Sequence, residues 1–250
     1  MSVAIYGLGY IGLPTAALIA SSETNVIGVD NNKNIIKNIN EGKVINFEAN
    51  LEQTVHKALV SGYLAVTHEP SSADIYVITV PTPVVENNLP DLSYVKEVTK
   101  TIAPMLVKGN MVIIESTLPV GGTEKMINWI LEERDDLNIP TNSSKDINDT
   151  DIHIAYCPER VLPGNILNEL ISNDRIIGGL STECANRAQI FYKQFVQNCF
   201  ASLPRQALHA VQLSLIHPKN NEVMSFESLL PEDMSNVIDR WRMYVKNNLN

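Results

Sequence analysis

Long apolar runs are missing from this 250-residue chain. No stretch reaches the roughly 18 residues that a membrane-spanning helix needs, so no membrane partner is expected. The first residues lack the basic, apolar and small-residue succession of a secretory signal. Cysteine is scarce: Cys157, Cys184 and Cys199 are odd in number and have no metal-ligand spacing. A reducing, cytoplasmic setting fits that usage. The five His residues (His56, His68, His153, His209, His217) form no metal pattern either, and none is assigned catalysis. Positive charge is short, with 19 Lys and Arg against 28 Asp and Glu, a net charge of −9. That balance argues against nucleic acid as a partner of the whole chain. It leaves room for a local anion site, which needs only backbone N–H groups and a few cations. No internal repeat recurs at a period of 20–50 residues.

The first 30 residues carry the strongest signal. Ser2–Tyr6 is a short apolar run that suits a buried strand. Gly7-Leu-Gly-Tyr-Ile-Gly12 follows it. Gly7 permits a tight turn, Gly9 lets backbone approach a pyrophosphate, and Gly12 lets the next helix pack on the strand. A helix starting near Tyr10 and Ile11 aims free N–H groups and its positive dipole end at phosphates. Asp30 lies 18 residues past Gly12, at the tip of Asn25–Val29. There its carboxylate can accept hydrogen bonds from both ribose hydroxyls and would repel a 2′-phosphate, which favours NAD over NADP.

Strand-like and helix-like segments alternate through the first 200 residues. Expected strands are Ser2–Tyr6, Asn25–Val29, Ile75–Thr79, Met111–Glu115, Ile152–Cys157 and Arg175–Gly178. Expected helices are Ile11–Ala20, Lys33–Asn40, Leu51–Ser61, Leu92–Leu106, Gly122–Glu133 and Glu183–Val196, with Asp91 as the N-cap of the fourth. Apolar strands alternating with helices imply an α/β fold, a Rossmann-type doubly wound parallel sheet covered on both faces. Asn138–Asp151 is polar and reads as a surface loop. Past residue 200 the pattern changes. Ala207–Ile216 and Glu222–Glu227 alternate as a β-hairpin around His217-Pro-Lys-Asn-Asn. Pro231-Glu-Asp-Met opens a helix running to about Val245. A hairpin plus one helix is too small for a robust core of its own.

Three further turns sit where strands end. Val77-Ile-Thr-Val-Pro-Thr-Pro83 offers the Thr79 and Thr82 hydroxyls at the carboxyl edge, where open α/β sheets bind ligands. A proline-stiffened turn is the plain alternative. Glu115-Ser-Thr117 offers Ser116 and Thr117, with simple helix capping as the alternative. Tyr156-Cys-Pro-Glu-Arg-Val-Leu-Pro-Gly164 places Glu159 and Arg160 where a substrate could lie, with a surface salt bridge as the alternative. Cys157 reads as an inert strand-end thiol, since no His is near it in sequence.

Together these segments resemble the nucleotide-sugar 6-dehydrogenases, the family of UDP-glucose and UDP-N-acetylmannosamine dehydrogenases. The resemblance covers residues 1–199. It rests on Gly7-Leu-Gly-Tyr-Ile-Gly-Leu-Pro, Gly28-Val-Asp30, Val80-Pro-Thr-Pro, Glu115-Ser-Thr-Leu-Pro, Cys157-Pro-Glu-Arg-Val-Leu-Pro-Gly and Asn173-Asp-Arg-Ile-Ile-Gly-Gly. Glucose-acting members carry Asn-Pro-Glu-Phe-Leu-Arg-Glu where this chain has Cys-Pro-Glu-Arg-Val-Leu-Pro. The latter is similar to the UDP-N-acetyl-hexosamine branch, in particular the N-acetylmannosamine enzyme. The glucose branch's second Glu falls at Pro163, so its water-orienting role is not carried over. The resemblance implies two successive hydride transfers from the sugar C6 alcohol to NAD. A cysteine thiolate holds the carbon as a thiohemiacetal, then a thioester that is hydrolysed to the uronate, for surface polysaccharide synthesis. It assigns Gly7, Gly9, Tyr10, Ile11, Gly12 and Asp30 to NAD, Thr82 and Thr117 to its nicotinamide side, and Glu159 with Arg160 to the UDP-sugar substrate.

The resemblance stops near residue 200. The family continues with a helix bearing a catalytic Lys and Asn, then a second domain bearing the nucleophile in Gly-x-Cys-x-Pro-Lys-Asp. Neither follows here, so Thr117 and Glu159 are supporting residues of an incomplete catalytic set. NAD binding without two-step oxidation is expected. Instead Leu203-Pro-Arg-Gln-Ala-Leu-His-Ala-Val-Gln-Leu-Ser-Leu-Ile-His-Pro and Leu230-Pro-Glu-Asp-Met resemble the C-terminal tail of RluA/RluD-type pseudouridine synthases. That family's catalytic Asp lies upstream of its tail and is absent here. Two units are therefore expected, 1–199 for NAD binding and 200–250 as a foreign-looking tail joined near Cys199–Pro204, as a gene rearrangement or an assembly error would leave. A non-catalytic NAD-binding remnant and an RNA pseudouridine synthase fragment are the alternative readings. Apolar surface that a second domain would cover favours self-association, so a homo-oligomer is an expected partner state.

Overall fold

A computed structural model of the chain describes all residues except 45–47, 49, 86–88, 140–149, 163, 197–198, 204–211, 217–221, 233, 240–241 and 243–250. Five strands carry the centre of the fold: β1 (Ser2–Tyr6), β2 (Asn25–Val29), β4 (Ile75–Ile78), β5 (Met111–Ile114) and β6 (His153–Tyr156). With β3 (Leu64–Thr67), β7 (Arg175–Gly179) and β8 (Cys199–Leu203) they form one sheet ordered β3-β2-β1-β4-β5-β6-β7-β8. The first six strands are parallel. Their order is that of the two mononucleotide-binding halves of a dinucleotide fold. β7 then pairs antiparallel with β6, and β8 runs parallel to β7.

Each central strand is buried on both faces, which is why these runs are continuously apolar instead of alternating. Val3, Ile5, Val77 and Ile113 face one cluster. Ala4, Tyr6, Tyr76, Ile78 and Ile114 face the other. The first cluster is covered by α1 (Gly12–Ser21), α2 (Lys33–Asn40), α3 (Leu51–Val60) and α7 (Thr182–Tyr192). The second is covered by α4 (Ser93–Ile102) and α5 (Gly122–Glu133). A third, small cluster joins Leu18 of α1 to Ile166 and Leu170 of α6 (Ile166–Ser172). The doubly wound architecture read from the alternation is present.

Sequence reading missed β3, α6 and β8. They are short, at four, seven and five residues, and β8 falls where a junction to the tail was expected. None shows a full period of its own. The helix expected over 92–106 ends at Ile102 and continues as a 3₁₀ turn, Ala103–Met105. Pro104 has no N–H to extend the α-helical ladder. Asp91 is not the N-cap of α4, which is Leu92. Its carboxylate still accepts the Ser93 N–H at 2.8 Å. The helix expected over 183–196 ends at Tyr192. In the tail, β9 (Gln212–Ile216) and β10 (Val223–Glu227) pair antiparallel, as the hairpin reading has it. Residues 234–239 are helical. Most of the 138–151 loop, the hairpin turn, residues 204–211 and the last residues lie outside the described set. No helix of the described residues is long and apolar enough to cross a membrane.

Ile113 is fully buried between the layers at 0% exposure, whereas Val60 is 74% exposed at the end of α3. Ile113→Ala is expected to cost about 2–5 kcal/mol and Val60→Ala less than about 0.5 kcal/mol. Urea midpoints at unchanged slope check both.

Candidate functional site

The carboxyl ends of the parallel strands form one edge of the sheet. From β1 the chain moves to β2 on one side and later to β4 on the other, so a crevice opens between the two halves. A cleft of about 450 Å³ lies there, lined by Gly7, Gly9, Asp30, Asn31, Thr79 and Tyr94 among others.

The glycine turn builds its floor. Gly7 takes φ +98°, a left-handed conformation open to glycine. A Cβ at Gly12 would stand 1.8 Å from the Gly7 carbonyl oxygen, so α1 starts in direct backbone contact with the turn. Gly9 differs: apart from its chain neighbours, no atom lies within 4 Å of where its Cβ would be. It lines the cleft, and the empty space beside it is what a diphosphate backbone requires. No side chain caps the N-terminus of α1; the Leu13 N–H is taken by the Gly9 oxygen at 3.3 Å and Pro14 has none, so the Gly12 N–H is what the first turn offers a bound anion.

Asp30 closes the far side. One carboxylate oxygen accepts the Leu8 N–H and the other the Asn32 N–H, each at 2.8 Å. The carboxylate is thereby fixed at the rim with lone pairs to spare for hydroxyl donors. These residues fit an adenine dinucleotide on shape and on donor set. Thr79 serves the turn rather than a ligand. Its hydroxyl lies 2.7 Å from the Gly7 oxygen and 2.9 Å from the Tyr6 oxygen, with one proton to donate.

Other expected site residues have varied surroundings. Thr82 is half-buried and Thr117 exposed, after β4 and β5 on the same edge. Neither Ser116 nor Thr117 caps α5, whose N-cap is Gly121. Ser116 donates to the Val80 oxygen at 2.7 Å and ties the two strand ends together. Tyr10 and Ile11 do not line the cleft. The Tyr10 phenol donates to Glu48 at 2.5 Å, and Ile11 packs on the small cluster under α6. Arg160 is exposed and its guanidinium donates to the Asp174 carbonyl at 2.9 Å. Pro163 lies outside the described residues.

Glu159 belongs to a buried ionic centre that sequence reading did not find. Because β7 runs backwards, its first residue, Arg175, sits beside the ends of β5 and β6. Arg175 is 4% exposed. It pairs with Glu115 at 2.8 Å and with the Glu159 carboxylate, and its guanidinium lies 4.5 Å over the Tyr192 ring. The Tyr192 hydroxyl donates to the same Glu115 oxygen at 2.7 Å. Burial pushes the Glu159 carboxyl above the usual carboxylate range, and Arg175 opposes the shift. Cys157 lies in the same centre, fully buried and 3.8 Å from Arg175. Burial pushes its thiol up to about 12, which keeps it protonated and fits an inert thiol. Cys184 is buried too, 3.8 Å from the ring of His153 near the opposite edge. Among the described residues no His, Cys, Asp and Glu group could hold a metal.

The NAD-binding domain of the UDP-glucose/GDP-mannose dehydrogenase family matches residues 1–196. The chain belongs to this family. The UDP-N-acetyl-D-mannosamine dehydrogenase of Campylobacter jejuni is 50% identical over 207 residues, 82% of this chain and 50% of that one. The NDP-N-acetyl-D-galactosaminuronic acid dehydrogenase of Ralstonia nicotianae is 45% identical over the same length, 48% of its own chain. Among solved structures, the UDP-N-acetyl-mannosamine dehydrogenase of Staphylococcus aureus superposes with a TM-score of 0.73 at 35% identity. That match covers 80% of this chain and 47% of the other. The chain thus spans about half the length of the curated relatives it matches. Within the family's NAD-binding domain, the glycine turn and Asp30 lie where sequence reading put them.

Arg175→Met leaves Glu115 and Glu159 buried without a cation. It is expected to cost about 3–5 kcal/mol, against less than about 0.5 kcal/mol for Arg160→Met at the exposed neighbour. Urea unfolding of both variants checks the contrast.

Proposed function

We propose that this chain is the NAD-binding half of a dehydrogenase that oxidises C6 of a UDP-N-acetyl-hexosamine to the uronate, with UDP-N-acetylmannosamine as the substrate. The names of its relatives support that substrate class. The observation that carries the binding half is the open space at Gly9 facing the fixed Asp30 carboxylate across one cleft. Bound there, NAD supplies the hydride acceptor.

The residues divide the work. The Gly12 N–H at the start of α1 and the Gly9 backbone hold the diphosphate. Asp30 takes the ribose hydroxyls and repels a 2′-phosphate. Thr82 and Thr117 border the nicotinamide side on the same edge. The 157–164 loop, held by Glu159 on Arg175, and the exposed Arg160 form the side where the sugar nucleotide sits. In cells the reaction takes place in the cytoplasm and supplies surface polysaccharide synthesis. The foreign-looking tail is the sequence after β8, since Cys199–Leu203 itself pairs with β7 in the main sheet.

A non-catalytic reading of this chain alone rests on the two thiols whose surroundings are described. Cys157 and Cys184 are both fully buried, so neither can capture an aldehyde. The purified chain is therefore expected to bind NAD without turning over UDP-N-acetylmannosamine. NADH formation by the chain on its own overturns that expectation.

NAD at about 100 times its dissociation constant adds about 2.7 kcal/mol to the stability of the folded state. At roughly 2–4 °C per kcal/mol for a unit of this size, the melting midpoint should rise by roughly 5–11 °C. NADP at the same concentration should give almost none of that rise, and Asp30→Ser should narrow the gap. No rise with NAD sinks the proposal.

A further inference from the structure

Glu48 carries three hydrogen bonds that the dinucleotide site does not require. One of its oxygens accepts the Tyr10 hydroxyl at 2.5 Å and the Gly164 N–H at 2.7 Å. The other accepts the Ile166 N–H at 3.1 Å, at the start of α6. The residue is 9% exposed. Its carboxyl is held below the usual glutamate range by the Tyr10 hydroxyl and then by the Gly164 N–H. Tyr10 stands between Gly9 and Gly12 in the turn under the diphosphate site. Gly164 ends the loop that carries Glu159 and Arg160. One carboxylate therefore spans both halves of the site. Apolar contact runs alongside it: Ile11, next to Tyr10, and Val161, in the loop, both pack on the Leu18–Ile166–Leu170 cluster.

We propose that Glu48 is a positioning residue that couples dinucleotide binding at the Gly7–Gly12 turn to the order of the 157–164 loop. The inference rests on the NAD-binding reading above. A ligand that fixes Gly9 fixes Tyr10 beside it. A fixed Tyr10 holds the Glu48 carboxylate in the orientation that Gly164 and Ile166 need. Each N–H bond to a charged acceptor is worth enough to slow local opening roughly tenfold or more. Coupling is reciprocal, so a loop already ordered also tightens the turn's hold on the dinucleotide. The consequence for a two-substrate site is that a ligand on either half favours the bound arrangement of the other.

Hydrogen exchange at the Gly164 and Ile166 amides tests this on the whole chain, with and without saturating NAD. Calorimetry gives each variant's own affinity. In the unaltered chain NAD is expected to slow exchange at both amides at least about threefold. In Tyr10→Phe, which keeps the Glu48 bonds to Gly164 and Ile166 but cuts the bridge, NAD-free exchange should stay within about twofold and the NAD effect should vanish. In Glu48→Gln, NAD-free exchange at both amides should rise roughly tenfold, as the loss of a charge-assisted bond predicts, and the NAD effect should vanish again. A purely structural Glu48 gives a different result: faster exchange in Glu48→Gln with the NAD effect intact in Tyr10→Phe, which overturns the coupling. Should Glu48→Gln not fold, the Tyr10→Phe comparison decides alone. NAD that binds the unaltered chain yet leaves both amides unchanged overturns the coupling and spares the parent reading. Absence of calorimetric binding overturns both.

Discussion

Helix α1 begins where it does because nothing larger than hydrogen separates Gly12 from the Gly7 carbonyl. That single close approach sets the height of the helix N-terminus over the end of β1. The surrounding elements are then stitched to the same turn. β4 reaches it through the Thr79 hydroxyl on the turn carbonyls, and β2 through the Asp30 carboxylate on the Leu8 N–H. Three strand ends meet over one backbone crossing, and the cleft is the space they leave. Gly9 stays open because its neighbours are already committed to one another.

The second half of the site is organised by charge instead of backbone. Arg175 faces two carboxylates, a phenol and a thiol in a place that water does not reach. Such centres are poor sources of net stability, because desolvation offsets most of the attraction. Their value lies in geometry: a guanidinium presents its donors in a fixed plane, so the ends of β5 and β6 and the start of β7 adopt one relative placement. The Glu159 loop inherits that placement at one end and the Glu48 bonds at the other.

The dinucleotide half was legible because its signals are local. Gly7, Gly9, Gly12 and Asp30 fall within one β-α-β unit, and each obeys a steric or electrostatic rule tied to its spacing. β1, β2 and β4 to β6 were legible as apolar runs. β3 was not, since Leu64-Ala-Val-Thr67 is too short to show a period. Arg175 was not, because its partners lie 60 and 16 positions back, at Glu115 and Glu159. Nothing in Asn173-Asp-Arg-Ile-Ile tells a buried arginine from a solvated one. Glu48 was hidden in the same way, its contacts with Tyr10 and Gly164 being products of the tertiary fold. The Glu159–Arg160 pair shows the limit from the other side. Adjacent charges in one loop read alike in sequence, yet one is buried in an ion pair and the other exposed.

The reversal of chain direction at β6 and β7 has a consequence for where the chain leaves the sheet. Of the eight strands of the main sheet, the first six end on the rim that holds the cleft. β7 and β8 end on the opposite rim, so the polypeptide departs from the main sheet with its back to the ligand edge. Sequence that follows Leu203 therefore starts on the rim away from the ligand edge and must turn back to reach it. The turns after β1, β2, β4, β5 and β6 thus share one rim, while the exit from β8 opens on the other.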